Sequence, residues 1–202
     1  MPTVKANGIS IAYEVSGDPG GIPIVLVMGL GMPLVFWPDA FVDGLVAAGY
    51  RVVRMDNRDC GLSERIPEKT HVPMPVAMAR SLLGAHVGAP YTLADMAADV
   101  AGLLDALKIA RAHVVGVSLG GMVAQVLAAR SPERVSSLTT IMSSSGNPFV
   151  SMARPRALSA ILHRPADPCD VACVTDHLVH VIEVIGSPGF PRDTKALRVL
   201  CE

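Results

Sequence analysis

Apolar and polar positions change rhythm several times along the 202 residues, and each change predicts an element. From Thr3 to Ser16 they alternate, with Asn7-Gly8 in the middle. Alternation marks a half-buried strand, and Asn-Gly suits the left-handed pair of a tight hairpin turn, so the chain is expected to open with two antiparallel strands. Ile22 to Met28 (IPIVLVM) is an unbroken apolar run, the mark of a parallel strand covered on both faces. Asp39 to Ala48 reads as a helix stopped by Gly49, and Arg51 to Met55 as another buried strand running into the polar turn DNRDCGLS. Pro67 to Pro90, rich in Pro, Met and Gly, is expected to be irregular.

Thr92 and Asp95 have the spacing of a capping box, in which each side chain satisfies an otherwise unpaired backbone N–H. Leu93, Met96, Ala97, Val100, Leu104 and Leu107 follow at helical spacing and predict an amphipathic helix. Ala112 to Val117 then reads as a short strand, Leu119 to Arg130 as a helix ended by Ser131-Pro132, and Val135 to Met142 as a further strand built to be covered. Strands alternating with helices at this interval predict an α/β fold with a mostly parallel sheet. Beyond Pro148 the pattern breaks into short, Pro-separated helical pieces, which divides the chain into a core, 1–147, and a helical segment, 148–202.

Composition narrows the function classes. Half the residues are apolar and 17% are charged, which excludes a disordered chain, and a net charge of −1 offers nucleic acid no electrostatic footprint. The uncharged stretches 19–38 and 112–129 are broken by Pro or Gly where a spanning helix needs roughly 20 mainly apolar residues. The N-terminus lacks the pattern of a signal peptide, so the protein is expected to be cytoplasmic, with no membrane insertion and no nucleic-acid partner. The four Cys do not form a disulfide framework.

The chemistry centres on Gly116-Val117-Ser118-Leu119-Gly120, a G-x-S-x-G pentapeptide between a short apolar strand and an immediate helix. A turn that sharp strains the serine backbone and holds its hydroxyl clear of the sheet. The first N–H groups of the new helix, Leu119 foremost, lack intrahelical acceptors and point to where an oxyanion forms. The Gly-flanked turn after the Ile22 strand, Met28-Gly29-Leu30-Gly31, is expected to supply the other donor from Leu30. The competing reading of both segments is an ordinary glycine-rich turn.

VMGLGMP with Trp37, MDNRDCGLS, GVSLGGMVAQ and SPERV together resemble the α/β-hydrolases, and within them the esterases related to aclacinomycin methylesterase; SPGFPRD resembles a piece of their lid. The chain has Met28-Gly29 where many members have His-Gly. The resemblance implies Ser118 as nucleophile and Asp56, Arg58 and Asp59 as a structural turn beside the pocket, read here as solvated and stitched by its own hydrogen bonds. It implies a carboxylic-ester hydrolase with an oxyanion hole, a small lipophilic ester as substrate and no cofactor. The sheet is expected to be truncated before its last strands, with the start of a lid following.

A Ser nucleophile needs a His and a carboxylate, which on this fold follow it along the chain. The later candidates, Asp167, Asp170, Asp176, His163, His177 and His180, lie in lid-like sequence. His71, His86 and His113 precede the serine, with His113 at the far end of its strand. The triad is therefore expected to be incomplete, and the chain alone nearly inactive and prone to self-association through an exposed sheet edge. Two alternatives are a non-catalytic fragment or pseudoenzyme binding a small ligand or partner, and perhydrolase or acyl-transfer chemistry at the same elbow. A dehalogenase would carry Asp at position 118.

Cys169, Cys173, His177 and His180 recur at helical spacing and are expected to form a buried helix face. Ligands strung along one helix cannot converge on a tetrahedral ion, so no metal is expected. Met28, Met32, Met74 and Met78 are candidates to line an adaptable lipophilic pocket.

Overall fold

The computed structural model describes residues 1–67 and 87–147, positions 72, 76, 80 and 85, and 154–201 except 168, 188 and 190–192. The expected irregular stretch from Pro67 to Pro90 therefore lies mostly outside the described residues, as do Met74, Met78, His71 and His86.

The described chain divides into two compact units, Met1–Ser145 and Gly146–Glu202. The first is built on a six-stranded sheet of β1 (Thr3–Ala6), β2 (Ile9–Ser16), β3 (Ile22–Val27), β4 (Tyr50–Met55), β5 (Ala112–Val117) and β6 (Val135–Ile141). Its spatial order is β1-β2-β4-β3-β5-β6; β1-β2 and β2-β4 pair antiparallel, and β4-β3, β3-β5 and β5-β6 pair parallel. Asn7 and Gly8 take φ of 50° and 83°, so the hairpin turns where Asn-Gly predicts it.

From β3 the chain steps to β4 on one side, then crosses back to β5 on the other. The carboxyl ends of β3 and β5 thus flank a topological switch point, where open α/β sheets form their crevices. Val27 pairs with Gly116, so the segments leaving these two strands start side by side.

Period-two alternation within the apolar strands separates two cores. Val25, Val27, Val53, Met55 and Val114 face α2 (Leu93–Ala106) and α3 (Leu119–Arg130). Ile24, Leu26, Val52 and Val115 face Trp37 and Val42, the latter from α1 (Asp39–Ala47). The capping box forms: the Asp95 N–H donates to the Thr92 side chain, and the Asp95 carboxylate accepts from the Thr92 N–H. β6 is the outer strand among those described, and every residue from Ser136 to Ile141 is exposed. The exposed positions include the apolar Leu138 and Ile141 as well as Ser136, Ser137, Thr139 and Thr140.

The turn from Asp56 to Ser63 bonds itself, with the Leu62 N–H donating to Asp56 Oδ2 and the Ser63 hydroxyl to the Asp56 carbonyl, but of the charged residues expected to be solvated only Asp59 is exposed. Asp56, Asn57, Arg58, Cys60 and Ser63 are all buried. Arg58 donates from Nε and a terminal nitrogen to the two oxygens of Asp99 on α2, both at 2.7 Å, and Asn7 Nδ2 donates to the same carboxylate at 3.0 Å. These bonds to Asp99 hold the Arg58 guanidinium above its ordinary pKa in spite of its desolvation. Two distant segments are thereby tied to one carboxylate on α2.

In the second unit, α5 (Val171–Ile185) packs against α4 (Pro155–Leu162) and α6 (Thr194–Cys201). The expected buried Cys/His face is not formed. Asp170 caps α5, so Cys169 lies outside the helix and exposed, while Cys173 and His177 are half-buried and His180 is exposed. The buried positions of α5 are Thr175, Val179 and Val181, because the opposite stripe of the helix carries the packing. No helix among the described residues is long and apolar enough to cross a membrane.

The buried pair yields the first prediction. Asp99→Ala leaves the Arg58 guanidinium buried without its partner and is expected to lower stability by about 3–5 kcal/mol. Urea unfolding measures it; a cost below about 1 kcal/mol would show that water solvates this pair after all.

Candidate active site

Ser118 stands between β5 and α3 with φ 51° and ψ −116°, a left-handed conformation costly for any residue with a Cβ. Its neighbours over-determine it. The Ser118 N–H donates to the Ile141 carbonyl at 2.9 Å. Its own carbonyl accepts from the N–H of Gly121 at 3.0 Å and Met122 at 3.2 Å, and from the Ser143 hydroxyl at 2.8 Å. β6, its following loop and the first turn of α3 therefore hold the strained residue together.

The small residues around it are sterically required. A Cβ on Gly116 would collide with the Gly120 backbone, and one on Gly120 with the Val27 carbonyl oxygen. Only because both lack side chains can α3 start directly over the ends of β5 and β3. Ser118 is exposed at this turn, and no group among the described residues bonds its hydroxyl.

Across the crevice, the segment leaving β3 lies against the serine: a Cβ built on Gly29 would stand 3.4 Å from Ser118 Cβ. Leu30 follows, 62% exposed, and its N–H has no acceptor among the described residues. Leu119 and Gly120, first in α3, likewise have no carbonyl one turn earlier in the helix. A cleft of about 370 Å³ opens here, lined by Leu30 and Leu119 together with Asn57, Arg58, Tyr91 and Met96. Unpaired N–H groups beside an exposed hydroxyl are the elements that stabilise a developing oxyanion.

The cleft wall is chemically quiet. Burial, aided by the Asp56 charge, pushes the Cys60 thiol up to about 11, so it is neutral at physiological pH. Burial and a hydrogen bond to Asp59 push the Tyr91 phenol up to about 12. The Arg58 guanidinium lies 4.9 Å from the Tyr91 ring centroid, its charge already met by Asp99. Met28 is buried in the core beside Trp37, and Met32 packs half-buried against the same cluster.

The other titratable candidates have partners elsewhere. His113 Nδ1 lies 2.7 Å from the Ser137 hydroxyl near the start of β5, the end away from Ser118. Asp170 caps α5, Asp176 pairs with Arg198 at 2.6 Å, and Asp167 accepts from the Cys169 N–H at 2.9 Å. The His163 and His177 rings lie 6.0 Å apart in the second unit. Among the described residues no group of three or more His, Cys, Asp or Glu is arranged to hold a metal ion.

Sequence reasoning missed Asp99 and Asn57. Asp99 had a signal: a carboxylate three residues after Met96 and four before Leu103 falls on the apolar stripe of its helix, where it needs a buried partner. Asn57 had none, since its side-chain acceptor is 29 residues away.

A mostly parallel sheet with this strand order and a strained serine at its switch point defines an α/β-hydrolase fold. Residues 22–160 match the alpha/beta hydrolase fold family, and the chain belongs to it. It is 36% identical over 144 residues to rhodomycin D methylesterase DnrP of Streptomyces peucetius, covering 70% of this chain and 42% of that one. Identity to DauP, the corresponding methylesterase of Streptomyces sp. (strain C5), is 35% with the same coverage. The enol-lactonase from Burkholderia xenovorans LB400 superimposes with a TM-score of 0.64 at 27% identity, covering 99% of this chain and 66% of that structure. The chain thus spans less than half the length of these curated relatives.

The strain at Ser118 is measurable. Ser118→Gly removes the Cβ responsible and is expected to raise stability by about 1 kcal/mol, after allowing for glycine's larger unfolded-state entropy. Urea unfolding checks it, and a destabilised variant would mean that the turn is unstrained.

Proposed function

We propose that this chain carries the nucleophile half of a serine hydrolase acting on a small lipophilic carboxylic ester. The observation that carries the reading is the exposed Ser118, held at φ 51° against Gly29, with the N–H of the following Leu30 lacking an acceptor among the described residues. In this reading Ser118 Oγ attacks the ester carbonyl, and the Leu30 and Leu119 N–H groups take up the charge on the tetrahedral intermediate. The alkoxide leaves, an acyl-Ser118 remains, and water releases the acid. The methylesterase names of the relatives support an ester as substrate.

A general base must take the Ser118 proton, and no His or carboxylate among the described residues bonds that hydroxyl. We infer that the acid and His of the triad are not supplied by these residues, which also favours a second reading as a ligand-binding, non-catalytic domain. Turnover of p-nitrophenyl butyrate separates the two, assayed with this chain and with a form extended C-terminally to the length of its relatives. The chain alone is expected to show at most the residual ~10³–10⁴-fold acceleration left when a triad member is absent. The extended form is expected to turn over rapidly, with activity abolished by Ser118→Ala. An extended form that is inactive, and whose Ser118 resists a fluorophosphonate, would overturn the esterase reading.

The exposed β6 edge supports self-association of this chain, since unpaired strand edges recruit further strands. Light scattering is expected to show oligomers at micromolar concentration; a monodisperse monomer counts against it.

A further inference from the structure

We propose that Asp56 and Asn57 are positioning residues that fix the Leu30 N–H by clamping both ends of the loop that carries it. The proposal rests on the oxyanion role of Leu30 given above and adds the device that holds it.

The loop runs from Met28, just past β3, to Leu34, where a short 3₁₀ turn (Leu34–Phe36) begins. At its first end Asn57 Nδ2 donates to the Met28 carbonyl at 2.9 Å. At its other end the Leu34 N–H donates to Asp56 Oδ1 at 2.6 Å. Met28, Leu34, Asp56 and Asn57 are all buried. Between the clamped ends the chain is open: Leu30 and Gly31 are exposed, and the only internal backbone bond there is a long one, from Met32 N–H to the Gly29 carbonyl at 3.4 Å. A loop with so little internal bonding keeps one conformation only if its ends are fixed.

The carboxylate chemistry fits this role better than packing does. Asp56 is 1% exposed and pairs with no cation among the described residues. Its second oxygen accepts the Leu62 N–H at 2.9 Å, so backbone N–H groups alone compensate the buried group. An aliphatic side chain would fill that volume without desolvating a carboxylate. What it cannot do is accept two converging N–H groups, one of them from the Leu30 loop. Asn57 extends the link to the elbow, because the Met28 carbonyl it bonds also borders Gly120: a Cβ on that glycine would stand 2.6 Å from the Met28 oxygen. Clamp, loop and the first turn of α3 share that one carbonyl.

The test is backbone NMR and amide hydrogen exchange on the ¹⁵N-labelled form extended C-terminally to the length of its relatives, which needs no catalysis. Asn57→Asp replaces the donor facing Met28 with an acceptor, and Asp56→Asn leaves one acceptor where two N–H groups converge. Asn57→Ala is a milder third variant. Expected are broadened Leu30 and Gly31 amide signals and about tenfold faster exchange from 29 to 34, with β5 and α3 amides unchanged. Unchanged Leu30 signals in folded variants would overturn the clamp. Equal loosening of β5 and α3, or failure of all three variants to fold, would also overturn it, making the pair a requirement of the fold and not of the loop. The esterase reading fails separately, through an unreactive Ser118 in the extended form, which leaves the clamp result standing.

Discussion

Everything at the head of the sheet depends on one close approach of backbone to backbone. α3 starts over the ends of β5 and β3, with Gly120 against the Val27 carbonyl and Gly116 against Gly120 itself. A single methyl group at either position would push the helix away from the sheet. With the helix held in, the turn before it has one residue in which to reverse direction, and that residue is forced to φ 51°. Strand order, small residues and strain at Ser118 are thus one constraint seen at three scales. The helix N-terminus, whose Leu119 and Gly120 N–H groups have no acceptor one turn earlier in the helix, arrives beside the serine for the same reason.

A second constraint works from the opposite wall. The Asp56–Ser63 turn carries four buried polar side chains, which reach three different parts of the first unit. Arg58 reaches Asp99 on α2, Ser63 receives the Ala12 N–H from β2 at 2.9 Å, and Asp56 and Asn57 reach the loop after β3. Breaking one partner of such a network leaves an uncompensated buried group, so its members are coupled in stability.

Elements that depend on local sequence were legible in it. Asn7-Gly8 turns the hairpin, Thr92 and Asp95 cap α2, and the G-x-S-x-G segment forms the strand–helix elbow, because each is decided by residues within a few positions of one another. What depended on distant partners was not. Arg58 and Asp56 read as a solvated turn because their burial is set by Asp99, 41 residues on, and by Leu34, 22 residues back. The Cys173–His177–His180 stripe was correctly periodic, but periodicity does not say which stripe faces a neighbour. α4 and α6 decided that in favour of Thr175 and Val179, and the cap at Asp170 left Cys169 outside.

The identity of residue 118 bears on function through the strain it carries. Glycine would take φ 51° with little penalty, and the turn needs no side chain to hold it, since all of its hydrogen bonds are made by the Ser118 backbone. The serine hydroxyl contributes no bond among the described residues, and Ser118 is exposed next to Leu119, which lines the cleft. A side chain that costs on the order of 1–3 kcal/mol in backbone strain, and makes no hydrogen bond among the described residues, has no structural explanation in this fold. Under the proposed serine-hydrolase reading the hydroxyl is the nucleophile, which has to stand clear of the sheet near N–H groups that lack acceptors among the described residues, and the strained conformation holds it there.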